Sequence, residues 1–189
     1  MSSAEKSIFM ITVISGTNRK NSETLLFAKH YTERFRSLSQ ESIKLLALED
    51  LPQSMLHPDM YAADQQSKEL ADIQDEFMIP ADKFFILVPE YNGSIPGIMK
   101  LFLDACSVRE YKATFKHKKV GLAGIASGRA GNLRGMDHLA SVFHHVGSLV
   151  FPNMLPISSI SQLVDENKTI THEKTLKTID NQIETFLAF

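Results

Sequence analysis

Apolar residues recur along this chain in two alternating rhythms. Short apolar runs form one set: Ile8–Ile14, Ile43–Leu48, Phe84–Val88, Val120–Ala126 and Ser148–Phe151, with Met154–Ile157 continuing the last beyond Pro152. Such runs suit strands buried on both faces of a parallel sheet. Between them lie segments whose apolar residues fall at helical spacing. Leu25, Ala28, Thr32 and Phe35 share one face, and Leu70, Ile73 and Phe77 another. Ile98, Leu101, Phe102, Ala105 and Cys106 form a third, Leu133, Met136, Leu139, Ala140, Phe143 and Val146 a fourth. The last, opening near Thr171, carries Leu176, Ile179, Ile183, Phe186 and Leu187. Pro52 to Ala63 reads as a long loop, and Lys116 to Lys119 as a short basic connector.

Strand and helix thus alternate five times, which predicts an α/β fold with a parallel sheet covered on both faces by right-handed crossovers. Five βα units suit a three-layer, flavodoxin-like sandwich with strand order 2-1-3-4-5. A chain of 189 residues is read as a single domain, 1–189. In that order the switch point lies between the first and third strands. The loops that follow those strands, Gly16–Ser22 and Pro89–Gly97, are therefore expected to be neighbours, at the end of the sheet where ligands bind.

Both loops carry candidate chemistry. Pro89 and Pro96 fix φ at the two ends of the second, with Pro96 expected as the first helical residue. The first, Gly16-Thr17-Asn18-Arg19-Lys20-Asn21-Ser22, joins a buried strand to a helix capped by Asn21 or Ser22. Unpaired amides and the positive end of the helix dipole make such a junction an anion site. Thr17, Ser22 and Thr24 offer hydroxyls, and Arg19 a planar fork matched to phosphate oxygens. In the plainer reading, Asn21 and Ser22 only cap the helix and Arg19 faces water. Two phosphate motifs are excluded: GxGxxG needs glycine where Asn18 and Asn21 stand, and GxxxxGK[ST] needs Gly-Lys where Asn21-Ser22 stand.

Taken together, the two loops resemble those of the NADPH-dependent FMN reductase family, the flavodoxin-like quinone, azo and chromate reductases. Gly16 to Ser22 is similar to that family's G-S-x-R-x-x-S phosphate loop, with Thr17 keeping the hydroxyl of the usual serine. Pro89-Glu90-Tyr91-Asn92-Gly93-Ser94-Ile95-Pro96-Gly97 resembles its P-E-Y-N-x-S-I-P-G loop almost letter for letter, and Ser127-Gly128-Arg129-Ala130-Gly131 its third, glycine-rich loop more loosely. The resemblance implies FMN as cofactor and NADPH or NADH as hydride donor. It implies ping-pong transfer through flavin N5 to a small acceptor such as a quinone, free flavin, azo compound or metal oxyanion. Gly16, Thr17, Arg19, Ser22 and Thr24 would then hold the phosphate. Pro89, Glu90, Tyr91, Asn92 and Gly93 would follow the ring, and Ser127 and Gly128 its pyrimidine end. No catalytic side chain is required, because the flavin carries the chemistry. A homodimer or homotetramer is implied as well.

Composition narrows the alternatives. The net charge of −2 favours neither nucleic acid nor the docking of a strongly acidic electron carrier, the competing reading of such a fold. Ile8–Ile14 is too brief for a signal peptide or membrane span. One cysteine, Cys106, allows no intramolecular disulfide and suits a cytoplasmic home. On the apolar stripe of its helix it reads as a small hydrophobe. His144 and His145 point about 100° apart on a helix, and no histidine pair has zinc-site spacing, so no metal is expected. Arg129, Arg134 and Lys20 are each candidates for the 2′-phosphate of NADPH. Met55, Met60 and Tyr61 are candidates for a substrate opening, an interface or a small satellite core.

Overall fold

The computed structural model describes residues 9–52, 57–62 and 64–189. Ile8, Met55 and Ala63, and with them part of the 52–63 loop, lie outside the described residues. Among those described, β1 is Met10–Ser15, α1 Glu23–Leu38, β2 Ser42–Ala47, α2 Lys68–Ile73, β3 Lys83–Pro89, α3 Gly97–Cys106 and α4 Tyr111–Phe115. The chain continues through β4 Lys119–Ile125, α5 Leu133–His145, β5 Leu149–Val150, β6 Leu155–Ile157 and α6 Glu173–Ala188.

All strand pairs are parallel, in the order β2-β1-β3-β4-β5, and β6 also pairs with β4. The expected order 2-1-3-4-5 is therefore present, with its fifth position split between two short strands. Leu149 and Val150 pair with Lys119 and Val120; Leu155 to Ile157 pair with Ala123 to Ile125. Pro152, which cannot donate to a ladder, stands in the interruption. The gap leaves acceptors to be satisfied, and Gln182 of α6 supplies the donor. Its buried amide gives hydrogen bonds to Leu122 O (3.0 Å) and Asn153 O (2.8 Å), while its Oε1 accepts the Tyr31 hydroxyl (2.8 Å).

Two apolar layers sandwich the sheet. Phe85 anchors the one beneath α1 and α6, with ring centroids 4.8 Å from Tyr31 and 5.2 Å from both Phe35 and Phe186. Burying such a ring contributes roughly 1.5–3 kcal/mol. Met99, Phe102, Leu122, Met136 and Phe143 lead the layer against α3 and α5. Cys106 lies fully buried there, and burial pushes its thiol well above the ordinary range.

Several local expectations need correction. Leu133 does not join the buried stripe of α5; it is 49% exposed, because it precedes the turn that packs on the sheet. Pro96 caps α3 from an extended backbone (ψ 140°) rather than opening it, and Met99 N donates to its carbonyl. The second strand ends at Ala47, with Leu48–Asp50 turning as a 3-10 segment. The helix expected to run to Phe77 widens into a π-turn at Gln74–Met78. There the buried Gln74 amide reaches Cys106 O (3.0 Å), Arg109 O (2.6 Å) and Thr114 Oγ1 (2.7 Å). These bonds fix α4, a short helix with no clear apolar period of its own.

Candidate functional site

The carboxyl ends of β1, β3 and β4 present three loops side by side. The first leaves β1 at Gly16, whose amide donates to Leu87 O at 2.8 Å. A Cβ there would meet that carbonyl at 2.9 Å and Met99 Sδ at 3.3 Å, so a side chain would push the loop off β3. Asn21 then takes a left-handed conformation (φ 54°), and its amide donates to Glu49 Oε2 at 3.1 Å. Glu49, in the turn that follows β2, thus pins the loop. Ser22 rather than Asn21 is the N-cap, its hydroxyl accepting from Leu25 N at 3.1 Å. Among the described residues, the amides of Thr17, Asn18, Lys20, Ser22, Glu23 and Thr24 have no acceptor. They gather at the positive end of the α1 dipole, the arrangement that binds phosphate.

The second loop is a tight hairpin. Tyr91 and Ser94 exchange both backbone hydrogen bonds at 3.0 Å, around Asn92 (φ 51°) and Gly93 (φ 81°). Positive φ at both central positions is the type I′ geometry that Asn-Gly favours. The exposed Glu90 bends back on its own hairpin, its carboxylate accepting the Gly93 amide. Asn132, in the third loop, ties this hairpin down. It is 2% exposed, donates to Val88 O (3.1 Å) and Pro89 O (2.9 Å), and accepts from Gly135 N (3.1 Å) as the N-cap of α5. An asparagine just before a helical run is an N-cap signal, and Asn132 stands directly ahead of Leu133.

The loops that were expected to be neighbours touch. Thr17 Oγ1 and the Tyr91 hydroxyl lie 2.9 Å apart, and Thr17 Oγ1 also accepts the Arg19 amide at 3.2 Å. A cleft of about 290 Å³ opens over this junction, lined by Arg19, Lys20, Ser22, Thr24, Pro89, Glu90, Tyr91, Ser127 and Ile160 among others. Of the residues singled out from sequence, Gly16 and the 1%-exposed Thr17 lie beneath the lining, and Asn92 is at the exposed hairpin tip. Gly93 and Gly128 border an adjoining groove. Thr17 therefore clasps the two loops rather than facing the cleft. The amides of Asn92, Ser127 and Gly128 also lack an acceptor among the described residues.

A sequence model of the NADPH-dependent FMN reductase family matches residues 9–162. The chain belongs to the NADPH-dependent FMN reductase family. That membership makes it an NAD(P)H-dependent flavin oxidoreductase with FMN as its cofactor. It is 26% identical over 185 residues to a 2-hydroxy-1,4-benzoquinone reductase from Burkholderia, covering 95% of this chain and 94% of that one. An NADPH azoreductase from a Bacillus strain is 24% identical over 169 residues, 86% of each chain. Among solved structures, the flavoenzyme NAD(P)H:(acceptor) oxidoreductase FerB of Paracoccus denitrificans superposes with a TM-score of 0.76 at 22% identity, covering 96% of each chain.

The cleft of this family member fits an FMN. Its phosphate end has free amides, a helix N-terminus, the Ser22 and Thr24 side chains and a guanidinium without a carboxylate partner among the described residues. Its other end has a half-buried tyrosine, a proline and free loop amides. Among the described residues, no three His, Cys, Asp or Glu side chains cluster at metal-binding range, and no helix is long and apolar enough to cross a membrane.

Proposed function

We propose that the chain holds FMN across the Arg19–Tyr91 cleft and passes reducing equivalents from NAD(P)H to an azo compound or quinone. The observation that carries the assignment of residues is the 2.9 Å contact between Thr17 and Tyr91. It joins an anion-binding loop to an aromatic hairpin over one cleft. Arg19, Ser22 and Thr24, with the free amides of the first loop, bind the phosphate. Pro89, Glu90 and Tyr91 line the ring, with the free amide of Asn92 at the hairpin tip, and Ser127 meets its pyrimidine end through its amide, with Gly128 at the border of the adjoining groove. When bound, the flavin supplies hydride chemistry that no protein side chain can. The protein's part is to orient the ring and to keep one face open for donor and acceptor in turn. The printed names of the relatives, a benzoquinone reductase and an azoreductase, support those two acceptor classes.

The protein acts as one domain, in the cytoplasm, as a homodimer or homotetramer. A single cysteine buried in a helix is consistent with a reducing compartment. The deciding experiment is the absorption spectrum of purified protein supplied with FMN, before and after anaerobic NADPH. Bound yellow flavin should bleach on addition and recover when a benzoquinone is added. Protein that neither retains nor reduces FMN would end this reading.

A further inference from the structure

Beside the flavin cleft, sharing Glu90 and Ala126 with it, lies a groove of about 300 Å³ between the second and third loops. Its floor is made of small residues, Ala126, Gly128 and Ala130, and its wall is the uncovered side chain of Leu133. A Cβ on Gly128 would meet nothing within 4 Å, so the floor is open rather than packed. Arg129 and Arg134 stand over it. Arg134 Nη1 reaches to 4.0 Å from where a Gly93 Cβ would be, which lays its guanidinium against the hairpin tip.

The arginines of this chain divide sharply. Arg34, Arg36 and Arg109 each bond a carboxylate, those of Asp180, Glu33 and Asp75. Arg19, Arg129 and Arg134 have no such partner among the described residues, and all three border the same end of the sheet. Arg19 belongs to the phosphate loop. The other two flank an apolar groove whose one carboxylate, Glu90, is turned onto its own loop. Two planar cations beside an apolar surface suit an anionic phosphomonoester carried on a flat apolar body.

Resting on the flavin reading above, we infer that this groove receives the adenosine end of the dinucleotide. Arg129 and Arg134 grip the ribose 2′-phosphate that distinguishes NADPH from NADH, and the adenine lies on Leu133. Lys20, the third basic residue considered for that phosphate, lines the first cleft instead. The pair sets donor preference without touching the flavin.

The test uses FMN-loaded protein with Arg129→Gln, Arg134→Gln and the double variant. Anaerobic stopped-flow reduction gives kcat/KM for NADPH and for NADH. Titration calorimetry compares adenosine 2′,5′-bisphosphate with adenosine 5′-monophosphate. The expected result is a fall of about tenfold or more in the NADPH-to-NADH ratio for the double variant, the size of a lost charged hydrogen bond. The bisphosphate should lose its advantage over the monophosphate by a similar factor, with partial retention in Arg134→Lys. An unchanged ratio, or equal losses for both donors, overturns the inference. So does weakened FMN affinity in the variants, which would assign the groove to the flavin. Wild-type protein that fails to take up FMN would instead defeat the underlying reading and leave the nucleotide titration to judge the groove by itself.

Discussion

The two ends of the sheet treat helix termini in opposite ways. At the carboxyl end, the start of α1 points free amides into a cleft, and arginines stand nearby without carboxylates. At the amino end, the polar groups satisfy one another. Lys83 Nζ donates to Leu187 O (2.8 Å) and Phe186 O (3.4 Å) at the close of α6. Lys118 donates to Ile79 O (2.8 Å) and Ala81 O where the π-turn ends, and Lys119 to Phe189 O. Cations at helix carboxyl ends complement the dipole. One end spends its hydrogen-bonding capacity on the fold, while the other holds it in reserve for a ligand.

That contrast can be broken by substitution, and the largest expected effect belongs to the residue that crosses it. Asn132 sits at the binding end yet is fully engaged. Asn132→Ala should destabilise the protein by about 3 kcal/mol, since it strands buried carbonyls and removes a helix cap. Chemical denaturation would register this, and a loss below about 1 kcal/mol would show that water replaces the amide.

Arg19→Ala should do the reverse. FMN binding weakens by about 1.5–3 kcal/mol, the size of a charged hydrogen bond, with apo stability nearly unchanged. Titration by flavin fluorescence quenching measures the first and thermal melting the second. Unaltered affinity would remove Arg19 from the site.

Thr17→Val removes the hydroxyl clasp at nearly constant volume and should cost about 0.5–1.5 kcal/mol. In a double-mutant cycle with Tyr91→Phe the two losses should couple; strict additivity would show that the loops are held independently.

The smallest effect lies at the amino end and appears in a pH profile. Burial, first among its causes, lowers the Lys83 pKa below the ordinary lysine value of 10.5, and Lys118 is lowered in the same way. Between the folded and unfolded values the unfolded chain binds more protons, so stability rises with pH across that window and levels off above it. Below the folded value the penalty is present in full. Lys83→Met should flatten this rise, measured as denaturation midpoints from about pH 8 upward, while leaving FMN affinity alone. Tyr31 works against it only at the top of the range: burial raises its pKa above 10, so its contribution fades as pH climbs past that value. A rise as steep in the variant as in wild type would refute the role given to Lys83.

Much of this arrangement was legible in the amino-acid sequence because it is local. Phe84 to Val88 must be buried on both faces, and Asn92-Gly93 is a turn by its own chemistry. The neighbouring of Arg19 and Tyr91 followed from strand order. What escaped depends on partners distant in the chain. Gln182 reads as one more polar residue on an amphipathic helix until the gap beside Pro152 presents it with two carbonyls. Thr17 looks like a phosphate hydroxyl until Tyr91 claims it. Glu49 looks like surface charge until Asn21 turns its amide toward it. Leu133 fits a helical period, but its position ahead of the packed turn leaves it uncovered.

The division of the outermost strand at Pro152 has a consequence for self-association. An uninterrupted terminal strand is a template on which another copy can lengthen the sheet, the route to uncontrolled aggregation. Here the exposed ladder is cut into stretches of two and three residues, with a proline between them. At this edge a second copy is thereby discouraged from lengthening the sheet, whereas the opposite edge is the uninterrupted six-residue β2.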